Sequence, residues 1–395
     1  MATPLRVGFN ARLLSDPSLR GWNRYTVNLL AQLPQFGVRP VLLAPRPIHP
    51  SHLERFPAGS YEVHIAPPMR NWKWEQFWLP QQCRSLRLDL FHSTFNFGLP
   101  WSAPCPMVLT LHDAIDPIYY GRQAAWYDRV KPNSLISTAF HWAARTRADR
   151  IITVTQHAKS DIVKYLRIPA RRIAVTYEAA DPHFHETIPP ETRHDVRQRH
   201  SLPARYLFYV GGWEQRKNIP FLLRAFAEAS CPNLHLVLAG GKEDRRAELQ
   251  SLAAELGIAD RLRLIGWIDE ADLPALYAEA LAFVYPSEYE GFGLQLCEAM
   301  ACGCPVLAAR ATCLPEVLGN GGETFSLKST TELVGLLRCI ATDEMYRQTL
   351  VARAQLRSQD FSWERCAEAT AMDYLAVRID VSHNCGRSKT GFFGF

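Results

Sequence analysis

Short apolar strands alternate with amphipathic helices in two successive runs along this chain of 395 residues. The first predicted run extends from strand Leu5–Asn10 to strand Ile173–Tyr177, and the second from strand Tyr206–Val210 to strand Val306–Ala309. The polar, proline-containing stretch 181–203 separates them. Because parallel strands need a crossover, which is usually helical, this alternation predicts doubly wound parallel sheets. A chain of this length usually divides its core, so we expect two α/β domains.

Composition limits the classes of function. With 47% hydrophobic and 21% charged residues, the chain has the make-up of a folded globular protein. Its start, MATPLRVGFNAR, indicates a first strand rather than a signal peptide. The sequence contains no run of 18 apolar residues, so we predict no membrane span. The ten cysteines lack the paired spacing of zinc sites. We therefore expect free thiols, a cytoplasmic location and no metal.

Net positive charge and tryptophan are concentrated in the first part of the chain. Residues 1–180 hold 22 Lys/Arg and 11 Asp/Glu, whereas the remainder holds 22 and 28. The segment 69–88 interleaves aromatic and basic side chains: Trp72, Trp74, Phe77 and Trp78 with Arg70, Lys73, Arg84 and Arg87. Two interpretations stay open: the segment makes peripheral contact with an anionic membrane at its inner face, or it packs on its own domain or lines a cleft. Nucleic acid is not expected, because no recognition motif accompanies the charge.

The segment 285–305, YPSEYEGFGLQLCEAMACGCP, predicts a strand end, a polar turn and a helix to about Cys302. Its glycine-containing turn, Gly291–Gly293, would let the backbone approach a ligand, and free amides at the helix start favour an anion. Glu290 lies in the turn and Glu298 about one turn into the helix. Carboxylates beside an anion site suit a ligand with both hydroxyls and phosphates, such as a nucleotide sugar. An ordinary buried helix with solvent-facing glutamates is the alternative.

A second strand-to-helix turn begins at Gly211-Gly212 and continues to Arg216 and Lys217. Arginine can hold a phosphate bidentately, and lysine adds a mobile point charge. If both turns end strands of one sheet, their helix starts would converge on one diphosphate. Surface cations before a helix are common, however, so chance proximity in sequence stays the alternative.

His112-Asp113 follows the predicted strand Met107–His112. In open α/β sheets, ligands bind at the carboxyl edge of the strands. A polar pair emerging there is therefore a candidate site, although a lone histidine is often structural.

Several segments resemble the family 4 glycosyltransferases, which are retaining enzymes of GT-B fold. FVYPSEYEGFGLQLCEAMACGCPVLAARATCLPEV resembles the family's two-glutamate signature, and YVGGWEQRKNIPFLLRAFAEA its phosphate-binding segment. In the first half, RYTVNLL, DLFHSTFNFGLP and VLTLHDAIDPIYY resemble the family's first domain. These matches occur in the expected order and extend over nearly all of the chain.

The resemblance implies a GT-B architecture, with two Rossmann-like parallel-sheet domains facing a cleft. Residues 1–190 would form the acceptor-side domain, and residues 200–360 the domain that binds the nucleotide sugar. A C-terminal helix, 361–378, would cross back to the first domain, and residues 380–395 would form a loose tail.

The resemblance also implies residue roles. Glu298 would bind the ribose hydroxyls, and Glu290 the transferred sugar. The expected donor-binding set is Gly21, Gly211, Gly212, Arg216, Lys217, Glu290, Gly291, Phe292, Gly293, Leu294 and Glu298. The expected catalytic set is His112, Glu290, Arg216 and Lys217, with His112 near the sugar. Two positions depart from the usual pattern: Gly212 replaces a frequent arginine, and Trp22 follows Gly21 where many relatives have a second glycine.

The implied reaction is retaining transfer of a mannose-, glucose- or rhamnose-like sugar from a UDP- or GDP-sugar. The acceptor would be a glycan, a lipid-linked molecule or a small molecule, and neither metal nor another cofactor is expected. Two alternatives stay open: a nucleotide-sugar epimerase of the same architecture, and a catalytically degenerate partner subunit.

Overall fold

A computed structural model of the chain describes residues 3–18, 21–115, 142–185, 187–241 and 245–387. The chain divides into two compact units. The first comprises Met1–Glu178 together with Trp363–Phe395, and the second comprises Ala179–Ser362.

A seven-stranded parallel sheet forms the centre of the first unit. Its strands are β1 (Leu5–Asn10), β2 (Val38–Ala44), β3 (Glu62–Ile65), β4 (Leu90–Ser93), β5 (Met107–Thr110), β6 (Arg150–Thr153) and β7 (Ile173–Val175). They lie in the order β3-β2-β1-β4-β5-β6-β7. Its helices include α1 (Trp22–Gln32), α2 (Pro50–Leu53), α3 (Asn71–Lys73), α4 (Leu79–Ser85) and α5 (Gln156–Leu166), with a π-helical turn, Trp74–Trp78, joining α3 to α4.

The second unit holds a six-stranded parallel sheet. Its strands are β8 (Tyr206–Gly211), β9 (His235–Gly240), β10 (Leu262–Gly266), β11 (Ala282–Tyr285), β12 (Val306–Ala309) and β13 (Glu323–Phe325), in the order β10-β9-β8-β11-β12-β13. Its helices are α6 (Pro190–Arg199), α7 (Ile219–Ala229), α8 (Arg246–Glu255), α9 (Leu273–Glu279), α10 (Leu294–Ala301), α11 (Leu314–Leu318), α12 (Thr331–Thr342) and α13 (Glu344–Ser358). The chain then enters α14 (Trp363–Arg387), which belongs to the first unit.

These sheets confirm the predicted fold class, two Rossmann-like α/β units of the GT-B type. Strands β4, β5, β11 and β12 are buried along their whole length, as expected where helices cover both faces of a parallel sheet. In each sheet the winding direction reverses once, at β1/β4 and at β8/β11. Ligands of such sheets bind where the winding reverses, at the carboxyl ends of the strands. The arrangement of the two units about a cleft stays a prediction.

Some details differ from the sequence-based expectation. Residues 380–387, assigned to a loose tail, continue helix α14, since no proline interrupts it and its glycine comes only at 386. The polar stretch 181–203 contains helix α6, and the first unit ends at Glu178, before the expected bound at residue 190. The sequence also predicts a helix over residues 124–147, which lies largely outside the described residues. Among the described residues, no helix combines the length and apolar character needed to cross a membrane.

Candidate functional site

Both glycine turns of the second unit lie where its sheet reverses. Strand β8 ends at Gly211, and its neighbour β11 ends at Tyr285. The two strands are parallel, so the segments that follow them emerge at the same edge. The backbone N–H of Glu288 donates to the carbonyl oxygen of Arg216 at 2.8 Å, which joins the two turns directly. The topology therefore brings together residues that are more than seventy positions apart.

A single carboxylate oxygen, Oε1 of Glu290, is the centre of this junction. It accepts hydrogen bonds from Lys217 Nζ at 2.6 Å and from Arg216 Nη1 at 3.0 Å. Ser287 Oγ at 2.5 Å and the hydroxyl of Tyr285 at 3.0 Å donate to the same oxygen. Lys217 also donates to the Tyr285 hydroxyl at 2.7 Å. Two cations and two hydroxyls thus hold one carboxylate in a fixed position.

Burial and charge act in opposite directions on these groups. Lys217 is only 6% exposed. Burial, together with the charge of Arg216, lowers its pKa, while Glu290 acts to raise it. Burial alone would raise the pKa of Glu290, but the charges of Lys217 and Arg216 outweigh it and lower that pKa. The site therefore joins one buried carboxylate to two basic side chains whose interactions with it oppose the effect of burial.

The turn before helix α10 is held by backbone geometry and by the segment that follows β12. Gly293 has φ +88°, a conformation that favours glycine, and an added Cβ would lie 3.0 Å from Leu314 Cδ2. The N–H of Glu290 donates to Thr312 Oγ1 at 3.2 Å, and the Cys313 thiol approaches the Glu290 carbonyl oxygen at 3.2 Å. The first amides of α10 follow directly, at Leu294, where a helix start favours negative charge.

Glu298 lies in the following turn of α10 and is 3% exposed. Its Oε2 accepts a hydrogen bond from the hydroxyl of Tyr277, on α9, at 2.9 Å. The carboxylate therefore faces the interior of its unit, against the alternative in which it points to solvent. Its role toward a ribose stays a prediction.

The segment that resembles the family's phosphate-binding segment differs from the family pattern at Gly212. An ideal Cβ at Gly212 would lie 2.1 Å from Oε2 of Glu214, so this carboxylate covers the glycine. Its charge also reaches Lys217 and acts to raise that residue's pKa. Because Glu214 is exposed, solvent screens it more than it screens Glu290.

In the first unit, His112 is buried just beyond the end of β5, with both ring nitrogens engaged. Nδ1 lies 2.9 Å from Oε1 of Glu178, and Nε2 lies 3.0 Å from the carbonyl oxygen of Thr94. Its backbone N–H donates to Asn96 Oδ1 at 2.8 Å. His112 therefore connects the loop after β4 to the segment after β7.

Two of the buried histidines of this unit, His92 and His112, have pKa values shifted in opposite directions. Burial favours the neutral ring of His112, but the Glu178 hydrogen bond and charge, the Thr94 carbonyl and Asp113 raise its pKa. Burial and the charge of His112 lower the pKa of His92 to about 3. His92 bonds the hydroxyl of Tyr374 at 2.6 Å, so helix α14 takes part in this polar core.

Gly21 and Trp22 begin helix α1. Gly21 has φ +46° and no atom within 4 Å of an ideal Cβ, so the backbone conformation rather than crowding favours glycine. The Trp22 ring packs against Phe95, Phe97 and His112, with ring centroids 5.6 to 6.3 Å apart. The tryptophan that departs from the family pattern therefore lies beside the candidate histidine.

One group of metal-ligating side chains appears among the described residues. The ligand atoms of Asp181, His183 and Glu270 lie within 4.8 Å of one another. Asp181 approaches Nδ1 of the imidazole at 4.0 Å, and Glu270 approaches Nε2 at 3.9 Å. The imidazole of His183 thus lies between two carboxylates, each facing a different ring nitrogen. The expectation of no metal stays a prediction.

Comparison with known proteins follows the same division of the chain. The profile described as Glycosyltransferase Family 4 matches residues 19–184, and that described as Glycosyl transferases group 1 matches residues 192–357. Together they take up most of the chain. The chain belongs to the family 4 glycosyltransferases.

Individual relatives of this family 4 member are distant. O-antigen chain mannosyltransferase B of Escherichia coli is 34% identical over 231 residues, which are 58% of this chain and 60% of that protein. Serotype-specific mannosyltransferase WbdA of E. coli is 30% identical over 227 residues, 56% of this chain and 28% of that protein. The match therefore spans less than two-thirds of either relative. HepE of Anabaena, solved with UDP and glucose, has a TM-score of 0.71 at 18% identity, covering 94% of this chain and all of that chain.

Several side chains of these sites were missed by sequence reasoning. Ser287 and Tyr285 lie within or beside the recognised turn, so their positions gave a signal that could have been used. Glu178 follows a predicted strand, and strand-end polarity could have identified it as it identified His112. Tyr277 lies on a different helix from Glu298, and no local pattern pairs them.

Proposed function

We propose that this chain is a retaining glycosyltransferase that moves a hexose from a UDP- or GDP-sugar to a glycan, lipid-linked or small-molecule acceptor. The observation that carries the proposal is the convergence of Arg216, Lys217 and Glu290 at the reversal point of the second sheet. Family membership supports the reaction class. The names of the two E. coli relatives make mannose the first sugar to test.

Departure of the sugar leaves negative charge on a nucleoside diphosphate. Lys217, Arg216 and the first amides of α10 can stabilise that charge because they are fixed before the reaction. Glu298 would bind the ribose hydroxyls, and Glu290 a hydroxyl of the transferred sugar. The roles expected of His112 and Gly21 in the first unit stay predictions.

Retention follows if the acceptor attacks from the side of the leaving group. The bond between the anomeric carbon and the diphosphate oxygen breaks, and a bond to the acceptor oxygen forms. The acceptor proton passes to the departing phosphate oxygen. These proposed steps need neither a nucleophile from the chain nor a metal ion.

Calorimetry with a panel of UDP- and GDP-sugars, followed by transfer assays with the best binder, tests the proposal. We expect Lys217→Ala and Glu298→Ala to lower donor binding or turnover at least tenfold, since a hydrogen bond to a charged group contributes about 1.5–3 kcal/mol. Lys328→Ala, at an exposed lysine of the same unit, is the matched control. Unchanged binding and turnover in both site variants would reject the assignment.

The same assays address the alternatives. An epimerase would convert the donor sugar without an acceptor and would release no nucleoside diphosphate by transfer. A degenerate partner subunit would bind no member of the panel.

An exposed aromatic pair supports the proposed contact with an anionic membrane. Trp72 is 53% and Phe77 65% exposed, and their rings lie 5.9 Å apart. Lys73 lies over the Trp72 ring at 5.7 Å. Trp74, by contrast, is fully buried, so the interleaved segment divides between packing and surface. Indole rings beside cations suit the interface of an anionic bilayer.

Co-sedimentation with anionic and zwitterionic vesicles measures this contact. We expect binding to anionic vesicles that weakens with salt and falls severalfold in Trp72→Ser/Phe77→Ser. Trp267→Ser changes a tryptophan of the second unit that is 59% exposed and serves as the control. Absence of binding at low salt would reject the membrane contact.

A further inference from the structure

The buried pair formed by His112 and Glu178 constrains what the histidine can do. The Thr94 carbonyl oxygen, 3.0 Å from Nε2, can only accept a hydrogen bond, so Nε2 carries a hydrogen. Nδ1 faces a carboxylate oxygen of Glu178 at 2.9 Å. Neither ring nitrogen offers a lone pair to an outside proton donor unless one of these contacts opens.

Two proton arrangements satisfy that geometry. Either the ring is an imidazolium beside a carboxylate, or a neutral ring accepts a proton from a protonated Glu178. The charges around the pair favour the first arrangement. Asp113, next in sequence, adds negative charge near the ring and helps to raise the pKa of His112.

Four other titratable groups of this polar core favour their neutral forms at pH 7. Tyr25 of α1 meets the imidazole edge to face, with centroids 4.8 Å apart, and burial raises its pKa well above the ordinary value. His92 of β4 stays neutral because burial lowers its pKa to about 3. From α14, Cys366 and Tyr374 stay neutral too, since burial raises the pKa of the thiol to about 12 and that of the phenol well above its usual range.

We propose that Glu178 is a positioning residue for sugar transfer, which keeps His112 protonated and holds its ring against the Thr94 carbonyl. His112 then acts as a fixed cation and as a clamp on the loop after β4, not as a proton acceptor. This inference rests on the proposed function, in which His112 takes part in transfer. Glu178 acts through His112 and touches no substrate itself.

The protonation of His112 can be measured without any substrate. In the full chain with labelled histidine, imidazole NMR signals are followed against pH in the wild type, Glu178→Gln and Glu178→Asp. The signal of His112 is identified by its loss in His112→Gln or, if that variant does not fold, by its selective shift in Glu178→Asp. We expect wild-type His112 to stay protonated where an ordinary histidine, with pKa about 6.5, is neutral. Glu178→Gln should lower its midpoint by about one pH unit or more.

The transfer assay then tests the consequence. At pH 7.5 we expect Glu178→Gln to lower kcat about tenfold with little change in the KM for donor. The deficit should shrink toward pH 6, as His112 regains its proton, and Glu178→Asp should restore most of the activity. A purely structural role would lower the unfolding temperature while leaving the pH profile of kcat unchanged.

Either of two results would overturn the inference: a neutral His112 in the wild type at pH 7, or equal loss of kcat at all pH values in Glu178→Gln. If the NMR titration is as expected but no donor is transferred, the proposed function fails and the protonated pair stands.

Discussion

The two units differ in how many basic side chains bond each buried carboxylate at their candidate sites. In the second unit, one carboxylate, Glu290, bonds two cations, Lys217 and Arg216. In the first unit, one carboxylate, Glu178, bonds one imidazole, that of His112. The group in the second unit has two basic side chains for one carboxylate, which favours the binding of an anionic ligand. The His112–Glu178 pair in the first unit has one basic side chain for one carboxylate and does not favour an anion.

This difference predicts how each unit responds to the removal of a charged side chain. Glu290 keeps a cationic partner if either Lys217 or Arg216 is removed. Among the residues that the structure describes, His112 is the only basic side chain that contacts Glu178, whose own side chain is almost fully buried. Removing the partner of a buried charge is costly because the remaining charge is desolvated without compensation. The two sites should therefore respond differently to equivalent substitutions.

The largest expected effect is that of His112→Asn. It leaves the Glu178 carboxylate buried without its cation, which should lower the free energy of unfolding by about 3–5 kcal/mol at neutral pH. Lys217→Met should cost less, about 1–3 kcal/mol, because Arg216 still bonds Glu290. Both values are measured by denaturant unfolding, with hydrogen exchange as the probe for each unit. His194→Asn, at an exposed histidine, is the control; equal losses in the two site variants would break the comparison.

A smaller effect is expected on the pH dependence of the free energy of unfolding, through the titration of His92. Its pKa is about 3 in the fold, so below pH 6.5 the unfolded chain takes up a proton that the folded chain does not. Stability from this group is present above pH 6.5 and falls with acidification, by about 2 kcal/mol at pH 5. His112, with its raised pKa, has the opposite sign: its contribution is present below pH 6.5 and is lost as pH rises through the folded pKa.

The measurement is the unfolding midpoint between pH 5 and 7 for the wild type and His92→Gln. The variant should lose less stability on acidification than the wild type does. His194→Gln serves as the matched control, and a variant whose pH dependence equals that of the wild type would contradict a neutral His92.

These sites also show how far sequence reasoning extends. The alternation of strands and helices predicted both sheets, because period and length are local properties. The turns at Gly211 and Gly291 were predicted as neighbours, because parallel strands of one sheet end at one edge. The Glu178–His112 contact was not predicted, since it depends on which strand ends lie side by side. Helix α6 was missed because its face is almost entirely polar, with Val196 its one buried residue.

A binding effect of about tenfold is expected from Glu290→Gln. The carboxylate competes with a diphosphate for Lys217 and Arg216, so its removal should tighten the binding of a nucleoside diphosphate. Two charges 4 Å apart interact by between about 1 and 4 kcal/mol, depending on exposure, and we expect the lower part of that range. Calorimetry with UDP and GDP measures the change. Sugar transfer should fall in the same variant, because the proposed contact with the sugar is lost.

Weaker binding of the diphosphate in Glu290→Gln would mean that Glu290 mainly orients the two cations. Glu316→Gln, a carboxylate of the same unit on α11, is the control for a general change in charge.

The smallest expected effect is that of Tyr277→Phe, which removes the hydroxyl that donates to Glu298 at 2.9 Å. A hydrogen bond to a charged group contributes about 1.5–3 kcal/mol, and water entering the site would replace part of it, so we expect a loss of about 1 kcal/mol. If Glu298 binds the ribose, a less constrained carboxylate should also weaken the nucleotide about twofold to fivefold. Tyr206→Phe, which removes a buried hydroxyl that donates to the Leu276 carbonyl oxygen, is the matched control for stability. It should lower the unfolding midpoint similarly without changing nucleotide binding. If both variants weaken the nucleotide equally, the effect comes from packing around α9 and not from Glu298, and the comparison of the two units would then rest on Glu290 alone.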